Sequence, residues 1–143
     1  MADDLPRLLV SDRQDLPVEL VPLLQAARSV LVAEGAADSE LSISFVSRTE
    51  MEKLHVKWMR QEGPTDVLSF DIDETDADGV RILGDVVICP DVAKEGANAY
   101  DDELRLLLVH GILHLLGHDH DEVGDRRAMW DKQEGYTGIR VQL

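Results

Sequence analysis

Residues 104–120, LRLLLVHGILHLLGHDH, form an apolar stretch that ends in several histidines. The stretch is apolar on nearly all sides as far as Leu116, which is typical of a buried helix rather than a surface helix. His110 and His114 are one helical turn apart, so a helix places both imidazoles on the same face. The segment therefore predicts a buried helix that presents two imidazoles side by side.

A third histidine follows the predicted end of this helix. Gly117 stands where a helix can end in a left-handed residue, which would reverse the chain and bring back His120. Structural zinc sites are usually closed by four ligands that are rich in Cys, whereas catalytic sites keep one position open. Cys89, the only cysteine, is far from this segment in the sequence. We therefore predict one Zn²⁺ per chain, held by His110, His114 and His120, although imidazoles also suit nickel, copper and iron.

The histidine spacing also matches the metzincin pattern HExxHxxGxxH, except that Gly111 replaces the glutamate. A peptidase built in this way would lack its general base. Glycine inside a helix costs about 1 kcal/mol relative to alanine, so Gly111 needs an explanation. Either the helix packs closely there, or the missing side chain leaves room beside the metal.

Two further polar residues lie within the histidine segment. His118 would point away from the metal if the chain turns at Gly117. Asp119 could orient a histidine or could cap the turn. The simplest alternative for the whole segment is that its histidines are hydrogen-bonded core residues, which the repeated spacing makes improbable.

The length of 143 residues and the hydrophobic content of 44% predict one domain over residues 1–143. No segment reaches the ~20 apolar residues of a membrane span, and the first residues, MADD, are acidic where a secretory signal would be basic. A single cysteine also argues against a disulfide scaffold. We therefore expect a cytoplasmic protein that does not bind membranes.

The formal net charge of −15 predicts that the chain as a whole repels nucleic acid. Any contact with nucleic acid must use a local basic patch. Residues 55–60, HVKWMR, together with Lys53 are the candidate, although such a patch is more often a solvated helix face.

The predicted elements mix early strands with later helices. Alternating apolar residues predict strands at Arg7 to Ser11, Glu40 to Val46, Val67 to Ile72 and Val80 to Cys89, the last two forming a hairpin. Spacing and end signals predict helices from Pro17 to Gly35, from the capping box at Ser47 towards Arg60, from Pro90 to about Tyr100, along the histidine segment and from Val123 to Glu134. We therefore predict an α+β fold, in which a small mixed four-stranded sheet packs with about five helices, one of them a zincin-like metal helix.

The acidic loop between the last two predicted strands partly matches the pattern of a calcium-binding loop. Glu74, Asp76, Asp78, Gly79 and Asp85 fall at the EF-hand positions 1, 3, 5, 6 and 12. The first and last of these carry the wrong acid, and the flanks resemble strands rather than helices. A solvated hairpin tip is the interpretation that we favour.

Three separated motifs together resemble the YbeY family of bacterial rRNA maturation factors. They are HGILHLLGHDH at 110–120, RQEGPTDVLSF at 60–70 and LGDVVI at 83–88, and the resemblance extends from about residue 40 to 134. The family carries Tyr where His118 stands and usually Asn at the position of His55.

This resemblance implies a single-strand-specific, metal-dependent endoribonuclease that acts in 16S rRNA 3′-end maturation and in ribosome quality control. It implies zinc on His110, His114 and His120, and a functional Arg60 that meets the phosphate. The implied partners are single-stranded RNA, namely the 16S rRNA precursor, and the ribosome or its small-subunit proteins. Asp66 and Asp85 could bond Arg60 or a histidine, and Thr65 and Ser69 are equally open.

Two other functions remain as alternatives. One is a metzincin-like metallopeptidase, for which Met129 superficially resembles a Met-turn, although it falls in a predicted helix and is expected to be core. The other is a ribosome-assembly factor with a structural zinc, which suits the acidic charge because acidic proteins dock on basic ribosomal proteins.

Overall fold

Period-two burial along the strands produces a sheet with two different faces. The computed structural model describes residues 5–59, 66–117 and 123–139, with side chains for all of these except 58, 59 and 123–127. Along β2 the residues at positions 39, 41, 43 and 45 are buried, while those between them are partly exposed. One face of the sheet is therefore the floor of the main core.

Four strands and five helices are present in the described residues. The strands are β1 (Arg7–Arg13), β2 (Ser39–Val46), β3 (Val67–Thr75) and β4 (Arg81–Ile88). The helices are α1 (Leu20–Ala33), α2 (Arg48–Met59), α3 (Pro90–Ala93), α4 (Tyr100–Leu115) and α5 (Val123–Thr137). The α+β prediction, with a mixed four-stranded sheet and about five helices, is confirmed.

The strand order in the sheet is β1-β2-β4-β3. β1 pairs with β2 and β2 with β4 in parallel, so helices are needed to return the chain between them. β3 and β4 form the predicted antiparallel hairpin. The edge strand β3 is therefore the neighbour of β4, which lies inside the sheet.

Two hydrophobic clusters lie on opposite faces of the sheet. The larger cluster joins α1 and α4 to the inward residues of β2 and β4, among them Leu41, Phe45 and Val86. The smaller one joins Met51 of α2 to Leu68 and other residues of the second face. The sheet thus separates the α4 layer from the α2 layer.

One helix was predicted too long. The expected helix from Pro90 to about Tyr100 ends at Ala93, and α4 begins at Tyr100. Gly96 lies between the two helices, and a Cβ atom there would lie 2.7 Å from the carboxyl carbon of Glu103. Asn98 also donates a hydrogen bond to that carboxylate at 2.9 Å. The tertiary contact with Glu103 replaces a continuation of the helix.

The predicted capping box at the start of α2 is half formed. Ser47 Oγ accepts the backbone N–H of Glu50 at 3.1 Å, as the motif requires. The Glu50 carboxylate instead accepts two hydrogen bonds from the guanidinium of Arg13, at 2.7 and 3.3 Å. The motif therefore starts the helix and also ties it to β1.

The acidic loop is a hairpin tip, as favoured above. Asp76 Oδ1 accepts the backbone N–H groups of Asp78 and Val80, both at 2.9 Å, and so caps the turn itself. The flanks are β3 and β4, so the EF-hand interpretation is wrong.

Within residues 5–59, 66–117 and 123–139, no helix is both long and apolar enough to cross a membrane.

The closest approach of α4 to the sheet is at Gly111. A Cβ atom there would lie 2.7 Å from Val86 Cγ1 on β4 and 3.2 Å from Ser69 Oγ on β3. The Ser69 hydroxyl donates a hydrogen bond to the Gly111 carbonyl at 3.1 Å. Of the two explanations for Gly111, the structure supports close helix packing.

Helix α5 is held against α1 by one carboxylate. Glu34 Oε2 accepts hydrogen bonds from Tyr136 Oη at 2.5 Å and from Lys132 Nζ at 3.0 Å. The bond to Glu34 and partial burial raise the pKa of Tyr136 to about 12. The C-terminal helix is therefore anchored to the first helix as well as to α4.

Gly111→Ala should destabilise the protein. The new methyl group would meet the stiff Val86 side chain, and overpacking of this kind costs about 1–3 kcal/mol. The gain in helix propensity of about 1 kcal/mol offsets part of this cost, so we expect the free energy of unfolding in urea to fall by up to about 2 kcal/mol.

Gly135→Ala is the matched control, because Gly135 is exposed in α5 and has open space around its Cβ position. This change should raise the free energy of unfolding by up to about 1 kcal/mol. In a Val86→Ala background, Gly111→Ala should lose most of its penalty. Equal effects of the two glycine changes would contradict the close contact.

Tyr136→Phe should have a pH-dependent cost. The folded state holds the phenol proton more tightly than the unfolded chain, whose tyrosine pKa is about 10. The stabilisation is therefore complete below about pH 10 and disappears as the pH rises through about 12. Urea unfolding of both proteins across this range should show a difference that shrinks at high pH. A difference independent of pH would show that Glu34 does not hold the proton.

Candidate metal centre

Helix α4 brings the first two predicted ligands together. His110 and His114 are both partly exposed, while the residues between them, positions 111–113, are buried. Their ring centroids are 5.5 Å apart and the ring planes are tilted by 54°. The two imidazoles thus form a pair on the less buried side of a helix whose other side is packed against the sheet.

The end of α4 follows the predicted turn. Gly117 has a φ of +96°, and its N–H donates to the carbonyl of His114 at 3.1 Å. A positive φ is readily adopted by glycine, so the glycine ends the helix as expected. The predicted third ligand, His120, lies outside the described residues, as do His118, Asp119 and Arg60.

A glutamine that the sequence did not single out contacts the first histidine. Gln133 of α5 places its Oε1 atom 2.8 Å from His110 Nδ1. Its side chain is nearly inaccessible, with 4% of the residue surface exposed. A weak signal existed: Met129, Gln133 and Thr137 recur at helical spacing, and all three are buried, so a polar residue occupies an inward-facing row.

Ser69 and Asp85, two polar residues that could contact the site, lie on different sides of the sheet. Ser69 contacts α4 through the Gly111 carbonyl rather than a histidine. Asp85 precedes Val86, whose side chain faces α4, so Asp85 points to the opposite face of the sheet. A hydrogen bond between Asp85 and a histidine of α4 is therefore excluded. Arg60, the other partner suggested for Asp85, lies outside the described residues.

A cavity of about 820 Å³ lies on that opposite face, and no sequence pattern predicts it. Ser42, Ser44 and Asp85 contribute polar groups to its floor, while Leu54 and Phe70 contribute apolar walls. The histidine pair does not line it. This cavity is thus separated by the sheet from His110 and His114.

The donor set at the end of α4 fits a borderline metal ion such as zinc. Two imidazoles at one-turn spacing can converge on one ion, and an acceptor on the Nδ1 side leaves Nε2 as the atom suited to coordination. Cys89 is excluded as a thiolate ligand, because it is buried in the α2 layer and burial raises the pKa of its thiol. The described residues contain no group of three His, Cys, Asp or Glu side chains that could hold a metal, so the fit depends on His120.

The basic patch predicted around α2 is partly described. Lys53 and Lys57 are exposed on this helix, and the shallow surface between them also includes Glu52.

Met129 is fully buried in the main core, which confirms that it is not a Met-turn.

Comparison with known proteins extends these observations. Residues 12–138 match the family described as Endoribonuclease YbeY. A protein of that name from Frankia casuarinae is 46% identical over 130 residues, which cover 81% of this chain and 65% of that protein. The namesakes from Beutenbergia cavernae and Thermobifida fusca are 45% and 43% identical and cover 87% and 94% of this chain. The chain spans just under two thirds of the Frankia casuarinae protein, but 90% and 94% of the other two.

A solved structure supports the same grouping. The solution structure of TM1509 from Thermotoga maritima superposes with a TM-score of 0.64 at 29% sequence identity. It covers 91% of this chain, and 86% of the Thermotoga chain is covered in turn. The resemblance drawn from three separated motifs is confirmed, because the match spans the sheet and the histidine helix together: this chain belongs to the Endoribonuclease YbeY family.

Proposed function

We propose that this chain is a metal-dependent endoribonuclease that cleaves single-stranded RNA in 16S rRNA 3′-end maturation and ribosome quality control. The observation that carries the proposal is the pair of adjacent imidazoles on α4, in a chain of the Endoribonuclease YbeY family. The relatives' name supports RNA cleavage, and the imidazole pair supports a metal centre of His110, His114 and His120.

The residues of the chain would divide the work. His110 and His114 are held in fixed directions by a buried helix, which reduces the cost of ordering them around an ion. Zinc, when bound, supplies stabilisation of the negative charge that develops on a phosphoryl oxygen. Arg60 would donate hydrogen bonds to the other phosphoryl oxygens and stabilise the same charge.

A metallopeptidase is disfavoured by the position of residue 111. The glutamate of the metzincin pattern would have to be placed there, but the Cβ position of Gly111 faces Val86 and Ser69. A side chain in this direction would enter the contact between α4 and the sheet. The general base of such a peptidase therefore has no space in this fold.

The acidic charge supports a ribosomal context for the substrate. A formal net charge of −15 opposes binding of free RNA, because RNA binding draws on Lys and Arg. Basic small-subunit proteins would compensate this charge and present rRNA to the chain. We therefore also propose that the protein works in the cytoplasm, on RNA associated with ribosomal proteins.

His114→Ala should remove both metal and activity. Purified without chelators, the wild-type chain should carry about one zinc, because three imidazoles bind it, and the variant should lose most of it. Metal content by mass spectrometry and cleavage of a labelled single-stranded RNA should fall together. Gln25→Ala, an exposed change on α1, is the control and should alter neither. Full RNA cleavage by zinc-free wild-type protein would contradict the proposal.

Arg60→Ala should separate activity from metal binding. Loss of one donor to a developing charge typically lowers kcat by about 10²–10³, and the zinc content should stay at the wild-type level. Single-turnover cleavage and metal analysis of the same preparation measure both. Unchanged cleavage would remove Arg60 from the site.

The same variant tests the assembly-factor alternative, which the acidic charge also favours. If cells carrying Arg60→Ala mature their 16S rRNA normally although the purified variant does not cleave RNA, assembly rather than catalysis is the essential role. Defective maturation in those cells supports catalysis.

A further inference from the structure

Among the side chains of α5 that the structure describes, at positions 128–137, Gln133 is buried and its polar end meets the predicted ligand His110. Its Oε1 atom lies 2.8 Å from His110 Nδ1, although 23 residues separate the two in sequence. Glutamine is seldom buried without a polar partner, since burial removes the amide from water and leaves its hydrogen bonds unmade. The buried position is thus matched to a specific contact with the imidazole.

The surroundings of Gln133 fix its place. Thr137 Oγ1 donates to the Gln133 carbonyl at 2.8 Å, and Arg105 of α4 donates to the Thr137 carbonyl at 3.1 Å. Met129, one turn earlier on the same row, is fully buried in the main core. Glu34, which directly follows α1, accepts hydrogen bonds from Lys132 and Tyr136 and so holds the turn of α5 that contains Gln133. The amide is therefore carried by a helix that is held from two sides.

The orientation of the Gln133 amide and the tautomer of His110 are linked. In the structure the amide oxygen faces Nδ1, and because an amide oxygen can only accept a hydrogen bond, this orientation requires the proton on Nδ1. A neutral imidazole has one N–H group, which leaves the lone pair on Nε2. If the amide were reversed, its NH₂ group would donate to Nδ1 and the proton would move to Nε2, where it would block coordination.

We infer that Gln133 is a positioning residue for His110: it holds the imidazole in the Nδ1–H tautomer, so that Nε2 is available to a metal ion. This inference rests on the proposed metal centre. Outer partners of ligating histidines set tautomer and ring orientation, and their loss typically lowers metal affinity about 10–100-fold. Gln133 supplies this function without adding negative charge to an acidic chain.

The test compares two substitutions of similar size. Gln133→Glu keeps an acceptor at Nδ1, whereas Gln133→Met removes it and keeps most of the volume. Zinc affinity, measured by competition with a chelating dye, should fall about 10–100-fold in Gln133→Met and should equal or exceed the wild-type value in Gln133→Glu. Met129→Leu is the control for packing, because it disturbs the same buried row one turn away and leaves the hydrogen bonds of Gln133 and Thr137 in place.

A second measurement reads the tautomer without metal. Long-range ¹H–¹⁵N spectra of the metal-free full chain, at about pH 8 where imidazoles are neutral, distinguish Nδ1–H from Nε2–H. His110 should be in the Nδ1–H form in the wild type and in Gln133→Glu, and should shift toward Nε2–H in Gln133→Met. An Nε2–H form in the wild type would overturn the inference.

The two proposals can fail separately. If the wild type binds zinc no better than His114→Ala, the metal centre is wrong, and the tautomer spectra alone then decide what Gln133 does to His110. If the wild type binds zinc tightly and Gln133→Met binds it as tightly, the inference is wrong. If Gln133→Met and Met129→Leu lower the zinc affinity by the same factor, Gln133 has only a packing role and the inference is also wrong. Weak binding by Gln133→Met with wild-type binding by Gln133→Glu supports the inference.

Discussion

The close contact between Gly111 and Val86 sets how α4 lies on the sheet. With no side chain at Gly111, α4 lies close enough to β4 and β3 for Ser69 to bond the helix backbone. That approach fixes the depth and rotation of α4 over the sheet, and hence the direction in which His110 and His114 emerge. Gly111 therefore acts on the site through packing, although glycine has a lower helix propensity than alanine and so makes α4 itself less stable.

Much of the fold could be predicted because one buried face per strand leaves a period-two pattern. β2 is the clearest case, since its alternation matches its burial from Ser39 to Phe45. The pattern failed where tertiary contacts override local preference. Acidic residues up to Thr75 continue β3 because they pair with β4, with Glu74 opposite Ile82. Residues 94–99 leave the helix because Gly96 and Asn98 meet Glu103.

The candidate site shows the same division between local and distant information. The His110 and His114 pair and the stop at Gly117 depend on helix geometry alone, so spacing was sufficient to predict them. Gln133 reaches His110 only because α5 docks on α4 and α1, which no local pattern encodes. The cavity above Ser42, Ser44 and Asp85 needs all four strands and α2 to be assembled first. Sequence spacing thus finds ligands on one element and misses groups brought in by another.

Charge sets a condition on the proposed reaction that the site cannot meet alone. A net charge of −15 produces a repulsive field for a polyanion, and this field is felt before any contact with His110 or His114 forms. Local cations such as Lys53 and Lys57 on α2 act over about one Debye length, roughly 8–10 Å in physiological salt. RNA whose phosphates are already neutralised by basic proteins escapes much of the repulsion. An acidic ribonuclease of this kind would thus favour RNA within a ribonucleoprotein over free RNA, and its selectivity would come from the long-range field as well as from the cleft.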